Sequence, residues 1–235
     1  QWIIQGAPGR WAADDGRPRP PGSTLPFRIH ADPDSYLTLR YANIAPTEGR
    51  SDQGGGVYVS GAIVRLEAVV LESSELSAHD GAGIFANHAA KVFIVGCTLR
   101  TKSVKGGGIS AQSQAEVTIS DSLFDGCTSF SHAGGAIYAS PEPNQGGPAS
   151  GPFKPGTGGV KLDISNTTFK DSQGTASPPE EGGKALYLAE CAQVKMVNTV
   201  FEPFDAKTVV TITPADQLLV LAGSGCTVYP CSPGQ

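Results

Sequence analysis

Gly106-Gly-Gly-Ile-Ser-Ala111 is one copy of a motif in which a glycine-rich step is followed by a short apolar strand. The other copies are Gly54-Gly-Gly-Val-Tyr-Val59, Gly81-Ala-Gly-Ile-Phe-Ala86, Gly134-Gly-Ala-Ile-Tyr-Ala139 and, with one extra residue, Gly182-Gly-Lys-Ala-Leu-Tyr-Leu188. Their first residues are 27, 25, 28 and 48 positions apart, and the longest interval contains a Pro- and Gly-rich stretch at 141–159. A period in the twenties is typical of repeat proteins, so the sequence predicts a stack of similar turns.

A second apolar pattern follows the glycine steps, with the form apolar-x-apolar-x-x-small-x-apolar. Its copies are Val92, Ile94, Cys97, Leu99; Val117, Ile119, Ser122, Phe124; Leu162, Ile164, Thr167, Phe169; Val194, Met196, Thr199, Phe201; Val64, Leu66, Val69, Leu71; and, upstream, Leu37, Leu39, Ala42, Ile44. Short alternating runs indicate β-strands, and no segment keeps a helical period. Because one repeat cannot bury its own apolar face, the repeats must stack. We therefore predict an all-β chain that forms a parallel β-helix of about six turns, with two strands in each repeat.

Stacking turns equivalent positions of the repeats into columns. Two columns are apolar in every copy and are predicted to point into the core. They are Val57, Ile84, Ile109, Ile137, Leu186 and Val59, Ala86, Ala111, Ala139, Leu188. The column between them, here called the aromatic ladder, is Tyr58, Phe85, Ser110, Tyr138 and Tyr187. Since it tolerates a serine, the ladder is predicted to point outward.

The aromatic ladder is the candidate binding site. Aromatic side chains on a surface can stack on sugar rings or anchor a protein partner. Its candidate binding residues are Tyr58, Phe85, Tyr138 and Tyr187. The alternative is that these rings stack on one another under a loop.

We expect one structural domain with three parts. Residues 1–36, rich in Trp, Pro and Gly, form a candidate N-terminal cap that would cover exposed strand edges. The β-helix is predicted to occupy 37–222, with insertions at 141–159 and 172–183. A C-terminal tail follows at 223–235.

Composition and charge argue against several classes of partner. The 235 residues carry a net charge of −5, and the densest basic stretch is Arg17-Pro18-Arg19, so nucleic acid is not expected to bind. No apolar run is long enough to span a membrane. Because the chain begins at Gln1 without a signal-like segment, we expect a processed or excised fragment.

The cysteines and one sequon bear on the cellular compartment. Cys226 and Cys231 flank a short turn and are a candidate disulfide pair, while the pairing of the other three cysteines stays open. Cys97 occupies a small inward position and is expected to be buried in the core rather than nucleophilic. Asn166 begins the sequon Asn-Thr-Thr and is a candidate glycosylation site. These features favour an extracellular or cell-surface location.

The sequence Gly134-Gly-Ala-Ile137, which follows Phe124-Asp-Gly-Cys127, resembles a known type of repeat. It is similar to the right-handed parallel β-helix repeats of the pectin lyase-like superfamily. Within that superfamily the chain most resembles polymorphic outer-membrane protein repeats and similar surface-protein repeats. Those carry a Gly-Gly-Ala-Ile motif, matched here in full, and a Phe-x-x-Asn motif, in which Cys127 replaces the Asn. The resemblance covers about residues 37–205 and implies a right-handed solenoid that serves as a scaffold.

The same superfamily includes enzymes that cleave polysaccharides with clustered carboxylates. The candidate acids are Asp121, Asp125, Asp163 and Asp171. The column of Asp121 continues as Asn166 and Asn198, which predicts a ladder of hydrogen-bonded polar side chains in a turn. The column mates of Asp163 are Arg65, Phe93, Thr118 and Lys195, which do not form a calcium cage.

The remaining candidates for catalysis or metal binding are also isolated. Asp14 and Asp15 are the one adjacent Asp pair and are expected in a solvated loop of the cap. His79 and His132 each precede a glycine step, but Val104 holds that place in the turn between them, so no metal pair is expected. We therefore predict no catalytic residue, no metal and no cofactor.

Three hypotheses about function follow. The first is a non-catalytic extracellular or cell-surface scaffold or adhesion domain that binds a glycan or protein partner through the aromatic ladder. The second is a polysaccharide lyase or hydrolase of the pectin lyase-like type. The third is an architectural subunit of a larger protein assembly.

Overall fold

The computed structural model describes residues 3–7, 24–25, 29–44, 51–53, 55–130, 134–140, 159–174, 185–188, 192–202, 210–212 and 226–228. The regular elements in this part of the chain are all strands, and no helix occurs among them. The strands are β1 (Ile3–Ala7), β2 (Thr24–Leu25), β3 (Ile29–Ala31), β4 (Tyr36–Arg40), β5 (Asn43–Ile44), β6 (Ser51–Gln53), β7 (Val57–Ser60), β8 (Ile63–Glu67), β9 (Val70–Asp80), β10 (Ile84–Asn87), β11 (Lys91–Val95), β12 (Thr98–Lys105), β13 (Ile109–Gln112), β14 (Glu116–Ser120), β15 (Leu123–Asp125), β16 (Thr128–Ser129), β17 (Ile137–Ser140), β18 (Lys161–Ser165), β19 (Thr168–Lys170), β20 (Gln173–Gly174), β21 (Leu186–Leu188), β22 (Gln193–Val197), β23 (Val200–Glu202), β24 (Val210–Ile212) and β25 (Cys226–Val228).

Three sheets run side by side along the solenoid. Sheet A has the order β1-β4-β8-β11-β14-β18-β22-β25, and sheet B has the order β24-β21-β17-β13-β10-β7-β3. Sheet C has the order β2-β5-β9-β12-β15-β19-β23, with β6, β16 and β20 beside this path. Each turn of the chain adds one strand to every sheet, and each strand pairs in parallel with its equivalent in the next turn. The predicted all-β parallel solenoid is therefore confirmed.

About four turns are completely stacked. In the turns β7-β8-β9, β10-β11-β12, β13-β14-β15 and β17-β18-β19, all three strands have a parallel neighbour on both sides. The flanking turns at each end have an incomplete set of such neighbours. The count is thus slightly lower than the predicted six, because the sequence repeats do not show which strands end a sheet.

The predicted repeat of two strands is wrong, because each turn has three. The second apolar pattern was expected to be one strand, but a residue with positive φ divides it between sheets A and C. In successive turns these residues are Tyr41, Ala68, Gly96, Asp121, Asn166 and Asn198, with φ between 46° and 62°. Their backbone N–H groups continue the ladder between turns, for example from Asn166 to the carbonyl of Val197 at 3.0 Å.

The glycine steps form the corner that leads into sheet B. The first glycine of three copies, at positions 81, 106 and 134, has φ of 58°, 59° and 75°. A side chain is disfavoured there both by this conformation and by the carbonyl three residues later, which a Cβ would contact. Glycine is therefore the residue best suited to this corner of the turn.

The core lies between the three sheets and is filled by the predicted columns. Both inward columns of sheet B are in register and buried. In sheet C, Phe124, Phe169 and Phe201 stack inside the core with ring centroids 4.8 and 5.1 Å apart. Burial of a side chain of this size contributes roughly 1.5–3 kcal/mol relative to exposure.

The two ends of sheet A differ from its middle. Strand β1 pairs antiparallel with β4, and β25 pairs antiparallel with β22. Strand β3, which precedes residue 37, already stacks in parallel on β7. The predicted domain boundaries stay predictions, and most of the two predicted insertions lies outside the described residues.

Candidate functional site

The aromatic ladder follows one continuous column on sheet B. Strand pairing places Tyr58 beside Phe85, Phe85 beside Ser110, Ser110 beside Tyr138, and Tyr138 beside Tyr187. The column is extended by His30, which pairs with Tyr58, and by Thr211, which pairs with Tyr187. None of the ladder residues belongs to the buried hydrophobic cluster between the sheets.

The rings of the ladder form two stacked pairs. Tyr58 and Phe85 have centroids 5.5 Å apart with an interplanar angle of 16°, and Tyr138 and Tyr187 have centroids 5.0 Å apart at 6°. His30 tilts against Tyr58 with a centroid distance of 4.5 Å. Lys105 Nζ lies 5.9 Å from the centroid of Tyr138, within the range of a cation–π contact.

The ladder is not an open strip of rings. Phe85 and Ser110 have an exposed fraction of 0%, whereas Tyr58, Tyr138 and Tyr187 are half-buried. Because the burial arises within a single chain, it favours the stacked alternative for Phe85. The tyrosines keep part of their surface in solvent, so they remain the candidate binding residues.

A row of polar side chains runs beside the ladder, two residues further along each strand. It comprises Ser60, Asn87, Gln112 and Ser140. Gln112 Nε2 donates to Ser110 Oγ at 3.3 Å, and this hydrogen bond joins the row to the ladder. Asn87 is buried, and its Oδ1 has no hydrogen-bond partner in the described part of the chain. This row was not predicted from the sequence, although small or amide side chains recur after the apolar strand in each of these copies.

Two carboxylates of sheet A, Glu67 and Glu116, are paired with cations of the same or a neighbouring turn. Glu116 lies between Lys91 and Lys161, with Nζ–Oε distances of 3.3 and 3.1 Å. The hydrogen bond from Lys161 lowers the pKa of Glu116 most, burial opposes this, and Lys91 lowers the pKa further. Glu67 is hydrogen-bonded by Arg65 and Arg40, and its pKa is also lowered. Both acids therefore take part in ion pairs that connect neighbouring turns of sheet A.

Replacing Glu116 with glutamine should make stability less dependent on pH. The folded pKa of Glu116 is below its ordinary value of 4.5, so the contribution of its charge is complete above that value and is lost as the pH falls through the folded pKa. We expect Glu116→Gln to lower Tm by up to about 3 °C near pH 7 and to have no effect near pH 2. Thermal unfolding of the parent and of the variant between about pH 2 and pH 7 measures this change in Tm. If the difference in Tm stays constant with pH, the charge of Glu116 does not contribute to stability.

The candidate acid Asp121 belongs to a ladder of polar side chains, as predicted. Asn166 Nδ2 donates to Asp121 Oδ1 at 3.1 Å, and Asn198 Nδ2 donates to Asn166 Oδ1 at 3.1 Å. Asn166 is an exposed residue, and its glycosylation stays a prediction. Of the other acids, Asp125 pairs with Arg100 at 2.9 Å, and Asp163 lies between Thr118 and Lys195 in the strand register.

Two cysteines are described with their side chains, and both are free and buried. Burial raises the pKa of each thiol, Cys97 and Cys127, to about 11, so neither is a thiolate near neutral pH. The Cys97 thiol lies 3.4 Å from the backbone nitrogen of Val69, and the Cys127 thiol lies 3.2 Å from the carbonyl oxygen of Leu99. The expected core position of Cys97 is confirmed. The candidate pair Cys226 and Cys231 falls outside the described side chains.

The described histidines have local partners. His30 Nε2 lies 3.0 Å from Asp32 Oδ1, and His88 Nδ1 lies 3.1 Å from Ser60 Oγ. No group of three or more His, Cys, Asp or Glu residues is placed to hold a metal ion within the described ranges. The side chains of His79 and His132, like residues 14 and 15, lie outside those ranges.

Three comparisons with known proteins found no relative of this chain. No family model matches the sequence, and no curated protein or solved structure matches it. Within the described residues, no helix is long and apolar enough to cross a membrane.

Proposed function

We propose that this chain is a non-catalytic scaffold or adhesion domain, outside the cell or on its surface, that recognises a glycan beside Tyr138 and Tyr187. The observation that carries the proposal is the stacked, half-buried tyrosine pair on the parallel sheet, next to Lys105. Sugar recognition requires apolar ring surface together with a few fixed hydrogen-bonding groups. Tyr138 and Tyr187 supply the first, and Lys105, whose Nζ lies 5.9 Å from the ring centroid of Tyr138, lies where it can supply the second together with the tyrosine hydroxyls.

Membership of the pectin lyase-like superfamily, and of its surface-protein repeats, is part of this proposal. It is supported by the motif Gly134-Gly-Ala-Ile137 and by the parallel solenoid. The candidate glycosylation site at Asn166 and the candidate disulfide between Cys226 and Cys231 support the proposed location.

A glycan array probed with the whole chain tests the proposed binding. We expect Tyr138→Ala and Tyr187→Ala each to weaken a detected glycan signal by about tenfold, because each removes one ring of the stacked pair. Tyr41→Ala is the matched control, since Tyr41 is 64% exposed and lies away from sheet B. If neither ladder variant weakens the signal, or if Tyr41→Ala weakens it equally, the tyrosine pair is not the binding site.

A further inference from the structure

The outer face of sheet A has a charge opposite to that of the whole chain. This face consists of the outward side chains of β4, β8, β11, β14, β18 and β22. Its cations are Arg40, Arg65, Lys91, Lys161 and Lys195, and its acids are Glu67, Glu116 and Asp163. Five cations minus three acids give +2, while the chain as a whole carries −5, so all other residues together carry −7. The face is therefore a distinct electrostatic surface.

The cations form a narrow track along the solenoid axis, which is three columns of side chains wide. Five of the six turns contribute one cation each, and the turn of β14 contributes Glu116 instead. With about 4.8 Å between turns, the track is roughly 24 Å long. Its side chains are accessible, because Lys91 and Lys161 are 50% and 55% exposed and the two arginines nearly 40%.

The centre of the track keeps an excess of positive charge. Lys91 and Lys161 share the single carboxylate of Glu116, which neutralises only one of the two ammonium groups. An additional carboxylate brought close to either lysine would therefore meet a net attraction. Exposed ion pairs of this kind are weak, so they rearrange at little cost when a ligand binds.

One end of the face also offers apolar surface. Tyr36 and Ile63 pair in register and have exposed fractions of 40% and 38%. A narrow track of cations, whose lysine column ends in this apolar pair, fits a polypeptide with acidic and apolar side chains better than a lipid surface, which contacts a broad area. An extended segment of about eight residues covers the length of the track.

We propose that the outer face of sheet A binds an extended acidic segment of a partner polypeptide through Arg65, Lys91, Lys161 and Lys195. The apolar end, at Tyr36 and Ile63, fixes the direction of the segment. Carboxylates of the partner lie along the cation track, and such charge pairing raises the association rate and sets the register. This surface is separate from the aromatic ladder on sheet B, so the two binding functions succeed or fail independently.

Fluorescence anisotropy with a labelled synthetic peptide, in which a run of glutamates follows a pair of leucines, tests this surface. We expect binding at low ionic strength that weakens as salt is added. Lys91→Gln combined with Lys161→Gln should weaken it about tenfold, and Glu116→Gln should tighten it several-fold because it removes the acid that Lys91 and Lys161 share. Lys170→Gln, on the outer face of sheet C, is the control and should leave the affinity unchanged.

Several outcomes would overturn the proposal. These are no binding, equal binding of the double variant and the parent, or tighter binding of an acidic oligosaccharide or of vesicles containing phosphatidylserine than of the peptide. Circular dichroism checks that each variant is folded. If the double variant is unfolded, Glu116→Gln alone decides, since a merely structural role of Glu116 predicts no gain in affinity.

Discussion

Replacing Gly107 with alanine should destabilise the solenoid by about 3 kcal/mol or more, or prevent folding. A Cβ at this position would lie 2.5 Å from the carbonyl oxygen of Thr128 and 2.6 Å from its nitrogen, and it would also meet the carbonyl oxygen of Gly135. All three are backbone atoms, so the clash can be relieved only by moving neighbouring turns apart. Chemical denaturation of both proteins measures the free energy of unfolding.

Gly126→Ala is the matched control for this prediction. Gly126 has a φ of 65°, but no heavy atom lies within 4 Å of the position of an added Cβ. Gly126→Ala should therefore lower the free energy of unfolding by about 1–2 kcal/mol, which is the cost of placing an alanine in the left-handed conformation. If Gly107→Ala costs no more than Gly126→Ala, the turns are not packed as closely as the structure shows.

Phe169→Ala should cost about 3–5 kcal/mol, because it opens a cavity in the middle of the aromatic stack of the core. The ring of Phe169 lies 4.8 Å from that of Phe124 and 5.1 Å from that of Phe201, measured between centroids. Its side chain is 1% exposed, so no solvent is present to offset the lost contacts. Thermal and chemical unfolding give the free energy directly.

Two variants separate packing in the stack from a general effect of losing a phenylalanine. Phe130→Ala removes a ring that is 49% exposed and should cost less than about 1 kcal/mol. Phe169→Leu should cost less than Phe169→Ala, because leucine already occupies this column at Leu99 and Leu71. Equal losses for Phe130→Ala and Phe169→Ala would contradict the assigned core.

The inward columns and the turn ladder could be predicted from sequence because both follow from the repeat alone. Once the copies are aligned, parallel stacking places Ile84 beside Ile109, and it brings Asp121, Asn166 and Asn198 into one line. This prediction needs no information about contacts outside the repeats. The same logic fixed the outward direction of the aromatic ladder, but not its exposure.

Exposure depends on what lies over a column, and a repeat does not encode that. Phe85 and Tyr138 hold equivalent positions, yet the first is fully buried and the second half-buried. The third strand was missed for a local reason: a single left-handed residue, such as Gly96 or Asn166, ends one strand and begins the next without any break in the apolar pattern.

The outer face of sheet C has a pattern of charges that is already visible in the sequence. The residue after the last apolar position of successive copies alternates in charge along the outer face. These residues are Glu72, Arg100, Asp125, Lys170 and Glu202. Neighbours of opposite charge favour the observed register, and a slip by one turn would bring like charges together. Comparing the signs of charge between aligned copies would have revealed this third sheet.

A distance between spin labels at positions 65 and 195 tests the stacked solenoid most directly. Arg65 and Lys195 share one column of sheet A, four turns apart, through Phe93, Thr118 and Asp163. With labels introduced as unnatural amino acids, pulsed electron paramagnetic resonance should give a narrow distribution near 19 Å. A broad distribution toward the roughly 60 Å expected for a flexible chain of this length, or a mean far above 19 Å, would contradict the fold.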